Sequence, residues 1–353
     1  MRIAFFCYPA TNNVWSAKSV ETGIGGSEEA VIHMAALLAA RGHEITVYNS
    51  LSAAPLRIDD VTYEGYGRPS AERPFGIAVV WRRPGLLSLV NNLQCRRIYL
   101  WLHDLLDFER IAPRLKPFYK VIVLSRFHRS RYPQLQSDRL FVTANGIVPE
   151  QFQDFSERDP RLMVYGSSYN RGLRTLLENW RLIRAAVPDA RLRIFYGWDV
   201  WQQCNPVRCA RLRPYFERLM LQEGITHLGR IGHCEVAREY SRAGLWAYPC
   251  CFPETSCISA MKAQAGGAVP VVIPTGALAE TVRHGFKTMR SYTDFLGMEF
   301  PRRIIDEWLD GLVDLLRSPD KQERIRQTMI PDSRRRFAWS GIVEAWEQEF
   351  ASA

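Results

Sequence analysis

The sequence predicts an α/β protein of two domains, each built on a parallel sheet. Three observations carry that expectation. The chain has 353 residues, 47% of them hydrophobic, which is enough to fill two cores. Short apolar runs bounded by Gly, Pro and polar residues recur along its length and alternate with stretches of helical period. Near the start one unit is complete: an apolar strand at Ile3 to Cys7, a glycine-containing loop, a helix, and a strand at Glu44 to Tyr48. Such a strand–loop–helix–strand unit brings its two strands side by side in the same direction.

In that unit the loop runs Thr22-Gly23-Ile24-Gly25-Gly26-Ser27-Glu28-Glu29. Ser27 suits the N-cap, and Glu28 and Glu29 suit the first turn. Val31, Met34, Ala35 and Leu38 form the apolar face, and Gly42 stops the helix. Strand-like runs follow at Gly76 to Val80 and at Arg97 to Leu102, the second ending in His103-Asp104. A His just past a buried strand sits at the C-terminal edge of a parallel sheet, where open α/β folds bind ligands. A packed or surface His is the plain structural alternative. Lys120 to Ser125 reads as another buried strand and Arg126 to Tyr132 as a basic helix. The polar stretch Pro149 to Pro160 reads as a linker.

The second domain opens with a strand at Leu162 to Gly166, then Ser167-Ser168-Tyr169-Asn170-Arg171-Gly172, and a helix on Leu173, Leu176, Leu177 and Trp180. Leu192 to Trp198 and Thr226 to Ile231 are further strands, with a helix from Cys234 to Ala243. Leu245 to Tyr248 is a buried strand closed by Pro249. Beyond it come Glu254, a Thr255-Ser256 pair able to cap a helix, an Ala-rich helical segment, Gly266-Gly267, and a strand starting at Val269. A carboxylate just before a helix N-terminus is odd as pure structure, because the free N–H groups there favour an anion. A phosphate-bearing ligand over the helix start, with Glu254 beside it accepting from hydroxyls, fits that pattern. The alternative is that Glu254 is itself the capping anion. An aromatic helix, introduced by Phe337-Ala338-Trp339-Ser340, runs to Phe350.

Composition narrows the function classes. Ten Trp, 17 Phe and 14 Tyr argue against disorder. No run of eighteen apolar residues offers a membrane span, and the N-terminus lacks a signal-peptide pattern. Eight cysteines without zinc spacing indicate reduced thiols in a cytoplasmic protein and no metal site. Asp59-Asp60 lacks the setting of a metal-binding Asp-x-Asp. The net charge of +9 is concentrated: between Trp81 and Arg139 there are twelve Lys and Arg against four Asp and Glu. That stretch can attract an acidic acceptor, an anionic membrane or nucleic acid, or it is a solvated face. An RNA or DNA module with interleaved stacking aromatics is not identifiable, so nucleic acid is not expected.

Pro253-Glu254, a small-residue helix, two glycines and Val269-Pro270-Val271-Val272 together resemble the donor-binding signature of the family-4 glycosyltransferases, retaining enzymes of the GT-B fold. The family pattern is a Glu, seven residues and a second Glu; here the second position is Lys262, and Ala268 is one extra residue in the turn. The likeness extends in order over the glycine loop, His103, the Asn145-Gly146 turn, Arg171-Gly172 and the last helix. It implies two Rossmann-like domains with parallel sheets facing a central cleft. The implied boundaries are 1–150 for the N-terminal acceptor-side domain, 151–160 for the linker, 161–335 for the nucleotide-sugar domain, and 336–353 for a helix returning to the first domain.

The resemblance also implies an activity and a site. The enzyme would be a hexosyltransferase, moving a sugar from a UDP- or GDP-sugar to a hydroxyl of a saccharide or lipid-linked saccharide, with retention and without a cofactor or metal. Cell-surface polysaccharide, lipopolysaccharide or glycolipid synthesis is the expected setting, in the cytoplasm or at the inner membrane face. His103, Glu254 and Arg171 are the implied catalytic residues. Donor contacts fall to Gly25, Gly26, Ser167, Ser168, Arg171, Gly197, Arg230, Glu254, Thr255, Ser256, Cys257, Ile258 and Lys262. Relatives hold an Arg where Ser167 stands, so the diphosphate loses one cation, which Lys262 can supply. A lysine can only donate, so it cannot accept from ribose hydroxyls as a Glu does; contact with a ribose oxygen and a solvent-facing Lys262 are the other options. Two rival readings are a nucleotide-sugar 2-epimerase of the same fold and a non-catalytic relative that binds nucleotide or an anionic polymer.

Overall fold

The computed structural model describes residues 1–7, 15–50, 54–66, 74–90, 93–152, 158–290 and 300–352. Residues 153–157 of the expected linker lie outside them. The chain divides into two units: Met1–Val20 with Ile24–Gly146 and Trp339–Ala353, and Glu21–Gly23 with Ile147–Ala338. The break after Gly146 comes four residues before the expected 150. Ile147 is already tied to the second unit, its N–H donating to the Phe337 carbonyl at 2.8 Å. Glu21–Gly23 joins that unit too, because Arg230 donates to the Gly23 carbonyl at 2.9 Å.

In the first unit the described strands are β1 (Arg2–Cys7), β2 (Glu44–Ser50), β3 (Leu56–Ile58), β4 (Val61–Gly65), β5 (Phe75–Trp81), β6 (Cys95–Trp101), β7 (Lys120–Val123) and β8 (Leu140–Val142). They form one sheet in the order β3-β4-β2-β1-β5-β6-β7-β8. Every pairing is parallel except that of β3 with β4. The chain steps outward from β1 to β2, then crosses to β5 on the other side, so the order reverses between β1 and β5. Continuous apolar runs such as Ile3 to Cys7 are what a sheet covered on both faces requires. β3, β4 and β8 were not anticipated; each is short, and the burial of β3 is slight.

The second unit holds β9 (Asp159–Tyr165), β10 (Arg191–Phe195), β11 (Ile225–Gly229), β12 (Ala243–Tyr248), β13 (Val269–Val272) and β14 (Phe286–Lys287). Their order is β11-β10-β9-β12-β13-β14, all parallel. β9 takes in Asp159 and Pro160, the last two residues of the expected linker. Here the order reverses between β9 and β12. Three long helices, Pro206–Met220, Arg302–Arg317 and Pro319–Arg336, were not read from the sequence.

Two capping expectations are corrected. The first-domain helix spans Gly26–Ala40 with Gly25, not Ser27, as its N-cap. The Gly25 carbonyl accepts from Glu29 at 2.9 Å, which puts Ser27 inside the first turn. The helix of the second unit spans Ile258–Gly266 with Cys257 as N-cap and no side-chain cap bond, so the Thr255-Ser256 pair precedes it rather than capping it. Gly267 closes that helix at φ 93°.

Candidate functional site

Ligands of open α/β sheets sit beyond the strand C-termini where the strand order reverses. In the second unit that point lies between β9 and β12, and two loops leave it. The loop after β9 carries Ser167, Ser168 and Arg171. The loop after β12 carries Glu254 and leads into the Ile258–Gly266 helix.

Two glycines hold these loops together. Gly172, at φ 109°, lies so close to the Pro249 carbonyl oxygen that a Cβ there would overlap it. Gly276, at φ 63°, packs on Glu254; a Cβ would stand 2.6 Å from the Glu254 carbonyl oxygen. That close approach lets Glu254 form a parallel bridge with Gly276, and its carbonyl accepts from Ala277 N–H at 2.7 Å. The backbone of Glu254 is therefore fixed on its far side.

Its side chain is fixed as well. Glu254 is 5% exposed. Arg171 Nη1 donates to Oε1 at 3.0 Å and to Oε2 at 3.2 Å. Tyr248 Oη, at the end of β12, donates to Oε1 at 2.7 Å. Tyr248 Oη also lies 3.0 Å from Ser167 Oγ. Arg171 has its guanidinium 4.2 Å from the centre of the Phe252 ring and its side chain is 33% exposed. Burial alone would lower its pKa, but the Glu254 carboxylate outweighs that and holds it well above the usual value. So Arg171 is locked as a cation, with Nη1 engaged on Glu254.

The remaining residues expected at the donor site fall as follows. Ser168 Oγ donates to Asn170 Oδ1 at 2.7 Å. With Ser167 bonded to Tyr248, both of these serine hydroxyls, expected as donor contacts, already have partners in the chain. Thr255, Ser256 and Cys257 are buried in the loop before the helix, and Ile258 is its first residue. Ile258 and Ser259 form the first turn of that helix, whose N–H groups have no carbonyl partner within the helix. Lys262 is 6% exposed in the same helix, so a solvent-facing side chain drops out of the three options. Gly197, at φ 82°, accepts the close approach of Arg230, whose guanidinium stands 5.7 Å from the centre of the Tyr196 ring. Tyr169 Oη, 2.7 Å from His227 Nε2, accepts from Gly197 N–H at 3.0 Å and completes this corner.

In the first unit His103 follows β6 and packs edge-on between Trp81 and Trp101, with ring centres 5.7 and 4.6 Å away. Burial, aided by the nearby Arg82 charge, holds its pKa well below the ordinary histidine value, so it is neutral. Beside it lies a constellation that sequence reasoning missed. Arg82, left-handed at φ 67°, makes two 2.8 Å bonds to the Asp104 carboxylate through Nε and Nη2. Burial pushes Asp104 up, but the Arg82 hydrogen bonds and charge outweigh it and the carboxyl ends below its usual range. Nothing in the residue order singles out this pair, since Arg82 is one of twelve cations in the basic stretch. Gly25 and Gly26 start the helix whose first turn holds Glu28. Its carboxylate lies beside Gly25, where a Cβ would meet Oε2 at 2.5 Å. That helix start already has an anion of its own.

Among the described residues, no three His, Cys, Asp or Glu side chains gather where they could hold a metal ion. No helix there is long and apolar enough to cross a membrane.

No protein-family model matches the chain, and no curated protein matches it in sequence. Solved structures do. A sucrose-phosphate synthase from Thermosynechococcus elongatus superposes with a TM-score of 0.76 at 15% identity, over 100% of each chain. HepE from Anabaena, solved with UDP-glucose, gives 0.71 at 14%, again over 100% of each chain. A glycosyltransferase from Rickettsia africae gives 0.65 at 15%, over 99% of this chain and 98% of that one. At such identities the likeness shows the fold alone. It is the α/β GT-B fold, with Rossmann-like units on parallel sheets.

Proposed function

We propose that this chain is a retaining glycosyltransferase that moves a hexose from a nucleotide-diphosphate sugar to a hydroxyl acceptor. The observation that carries the reading is the Arg171–Glu254–Tyr248 group at the strand reversal of the second sheet, next to the open start of the Ile258–Gly266 helix. A carboxylate that can accept from sugar hydroxyls and a guanidinium paired with it lie on the two loops at the strand reversal, one of which leads into a helix N-terminus. Such a set suits a sugar joined to a diphosphate. That similar folds include a protein solved with UDP-glucose supports it further.

In this proposal Arg171 keeps Nη1 on Glu254 and turns Nε and Nη2 to the departing diphosphate. The first-turn N–H groups add their dipole, so that negative charge developing on the leaving group meets preorganised donors. Lys262 supplies the second positive charge. The diphosphate itself receives the acceptor proton on the face it leaves, which retains the anomeric configuration. Glu254 holds the sugar by its hydroxyls. Arg230 and Gly197 are assigned to the nucleoside end. We assign synthesis of a cell-surface saccharide or glycolipid as the setting, with the basic stretch of the first unit as the contact for an acidic acceptor or an anionic inner membrane face.

Calorimetry with UDP, GDP and ADP side by side, followed by incubation with the matching sugar nucleotides, tests the reading. One diphosphate should bind at micromolar concentration, and its sugar nucleotide should be slowly hydrolysed without acceptor. A protein that binds none of the three is not this enzyme. NMR of the transferred anomeric proton decides retention, and an inverted product removes the front-face step.

A further inference from the structure

The hydrogen bonds around Tyr248 have only one consistent direction. Glu254 is paired with Arg171 and so carries a carboxylate, which can only accept. The 2.7 Å bond from Tyr248 Oη therefore uses the single phenolic proton. Tyr248 then has nothing left to give Ser167, and their 3.0 Å contact must run the other way, with Ser167 Oγ donating to Tyr248. The chain is Ser167 to Tyr248 to Glu254, whose carboxylate also accepts from Arg171. Tyr248 is 0% exposed, and its ring is held by stacking on Trp246 at 4.6 Å. It cannot swing away to release either partner.

We infer that Tyr248 is a positioning residue for the donor sugar: its hydroxyl orients the Glu254 carboxylate and, by taking the Ser167 proton, leaves Ser167 to offer a ligand only lone pairs. This rests on the reading above and deepens it. An oxygen with lone pairs alone repels a phosphate oxygen and welcomes a hydroxyl. Ser167 thus belongs to the sugar side of the site, although it occupies the place where the resemblance implies a phosphate-binding Arg. Two acceptors, Ser167 Oγ and the Glu254 carboxylate, are then held at a fixed spacing by one phenol, and what they select is a sugar with hydroxyls in matching positions.

The test uses the intact chain, with whichever of UDP, GDP and ADP the wild type binds and the corresponding hexose nucleotide. Tyr248→Phe removes one oxygen and no volume. It should leave binding of the nucleoside diphosphate within twofold, while kcat/KM for hydrolysis or transfer of the sugar nucleotide falls tenfold or more, mostly in kcat. Ser167→Ala should fall in the same direction, and the double variant should be no worse than Tyr248→Phe alone, because both act through one chain of bonds. Equal loss for diphosphate and sugar nucleotide would mean that Tyr248 is only a packed phenol, and unchanged kinetics or additive losses would equally overturn the inference. Should Tyr248→Phe fail to fold, Ser167→Ala decides on the same readouts. A wild type that binds none of the three diphosphates overturns the functional reading and this inference together; a competent wild type matched by Tyr248→Phe overturns the inference alone.

Discussion

At the scale of single residues, Glu254 and His128 allow the firmest tests. Glu254 is bound by Arg171 and Tyr248 through its carboxylate and by Gly276 through its backbone. Glu254→Gln keeps the volume and the bridge but removes the charge. The loss of a charged hydrogen bond should cost about 1–3 kcal/mol of stability, and kcat/KM should fall more than tenfold, about 1.4 kcal/mol or more. Near-normal activity in the folded variant would reduce Glu254 to a structural anion. His128 is a different case, since nothing in the proposed chemistry uses it. Its Nδ1 accepts from Leu124 N–H at 3.2 Å, so Nε2 carries the proton, and burial lowers its pKa to about 4. The unfolded chain protonates near pH 6.5, so below that value it binds a proton that the folded form refuses. Stability should be flat above pH 6.5 and fall by about 1.4 kcal/mol per pH unit toward pH 4. His103, depressed for the same reason, adds to the same slope. Urea midpoints at pH 7, 5.5 and 4.5 would show it, and His128→Asn should flatten the acid limb. An unchanged slope in that variant would place the acid sensitivity elsewhere.

Elements show which parts of a sequence can be read and which cannot. β1, β5 and β12 were legible because a parallel strand buried on both faces is an unbroken apolar run, and β6 and β9 because their C-terminal halves are. The glycine-rich helix end was legible because Gly267 must be left-handed there. Pro206–Met220 and Pro319–Arg336 were not. Each contains an internal proline, Pro214 and Pro331, and buries few residues, so both the breaker signal and the weak apolar stripe argued against a helix. The site was legible only in part. Glu254 and Arg171 stand at motif positions, but Tyr248 looked like the last residue of a core strand, and its hydroxyl matters only once β9 and β12 lie side by side. The basic stretch divides in a way that composition cannot show. Arg82, Arg97, Lys120 and Arg139 are spent on Asp104, the Tyr119 ring, Glu349 and the Phe118 carbonyl. Arg126 and Arg129 on the Arg126–Ser130 helix, and Arg131 just after it, are exposed. If these serve an anionic membrane, each contributes about 1 kcal/mol. Arg126→Gln, Arg129→Gln and Arg131→Gln together should then cut flotation with phosphatidylglycerol vesicles at low salt by tenfold or more, with donor hydrolysis unchanged. Equal flotation of wild type and variant at low salt would sink the assignment.

Across the whole chain, the two units are built from unequal shares of sequence, and the first depends on residues from both ends. Its last element, the Trp339–Ser352 helix, lies nearly two hundred residues after the rest of that unit. It buries Trp339, Val343, Trp346 and Phe350. Trp346 packs on Trp101 with ring centres 4.7 Å apart and donates from Nε1 to Thr143 Oγ1 at 2.9 Å. Phe350 packs on Tyr99 at 5.2 Å. Two carboxylates pin the ends of the contact: Glu349 accepts from Tyr99 Oη at 3.1 Å and from Lys120 at 2.8 Å, and Glu347 meets His43 at 2.9 Å and also Arg41. At about 1.5–3 kcal/mol for each fully buried large side chain, four of them amount to roughly 6–12 kcal/mol as an upper bound. That equals the entire stability of many domains, about 5–15 kcal/mol. Of the ion pairs, the one through exposed Arg41 adds little by comparison. Ending the chain at Ala338 should therefore unfold the first unit while sparing the second, whose closing contacts run through Phe337 to Ile147. Amide exchange measured by mass spectrometry would show it: β1, β5 and β6 should lose protection in the truncated chain, and β9, β12 and β13 should keep it. Full protection of β5 and β6 without the helix would show that the first sheet folds on its own strands, and the helix would then be an appendage rather than part of its core.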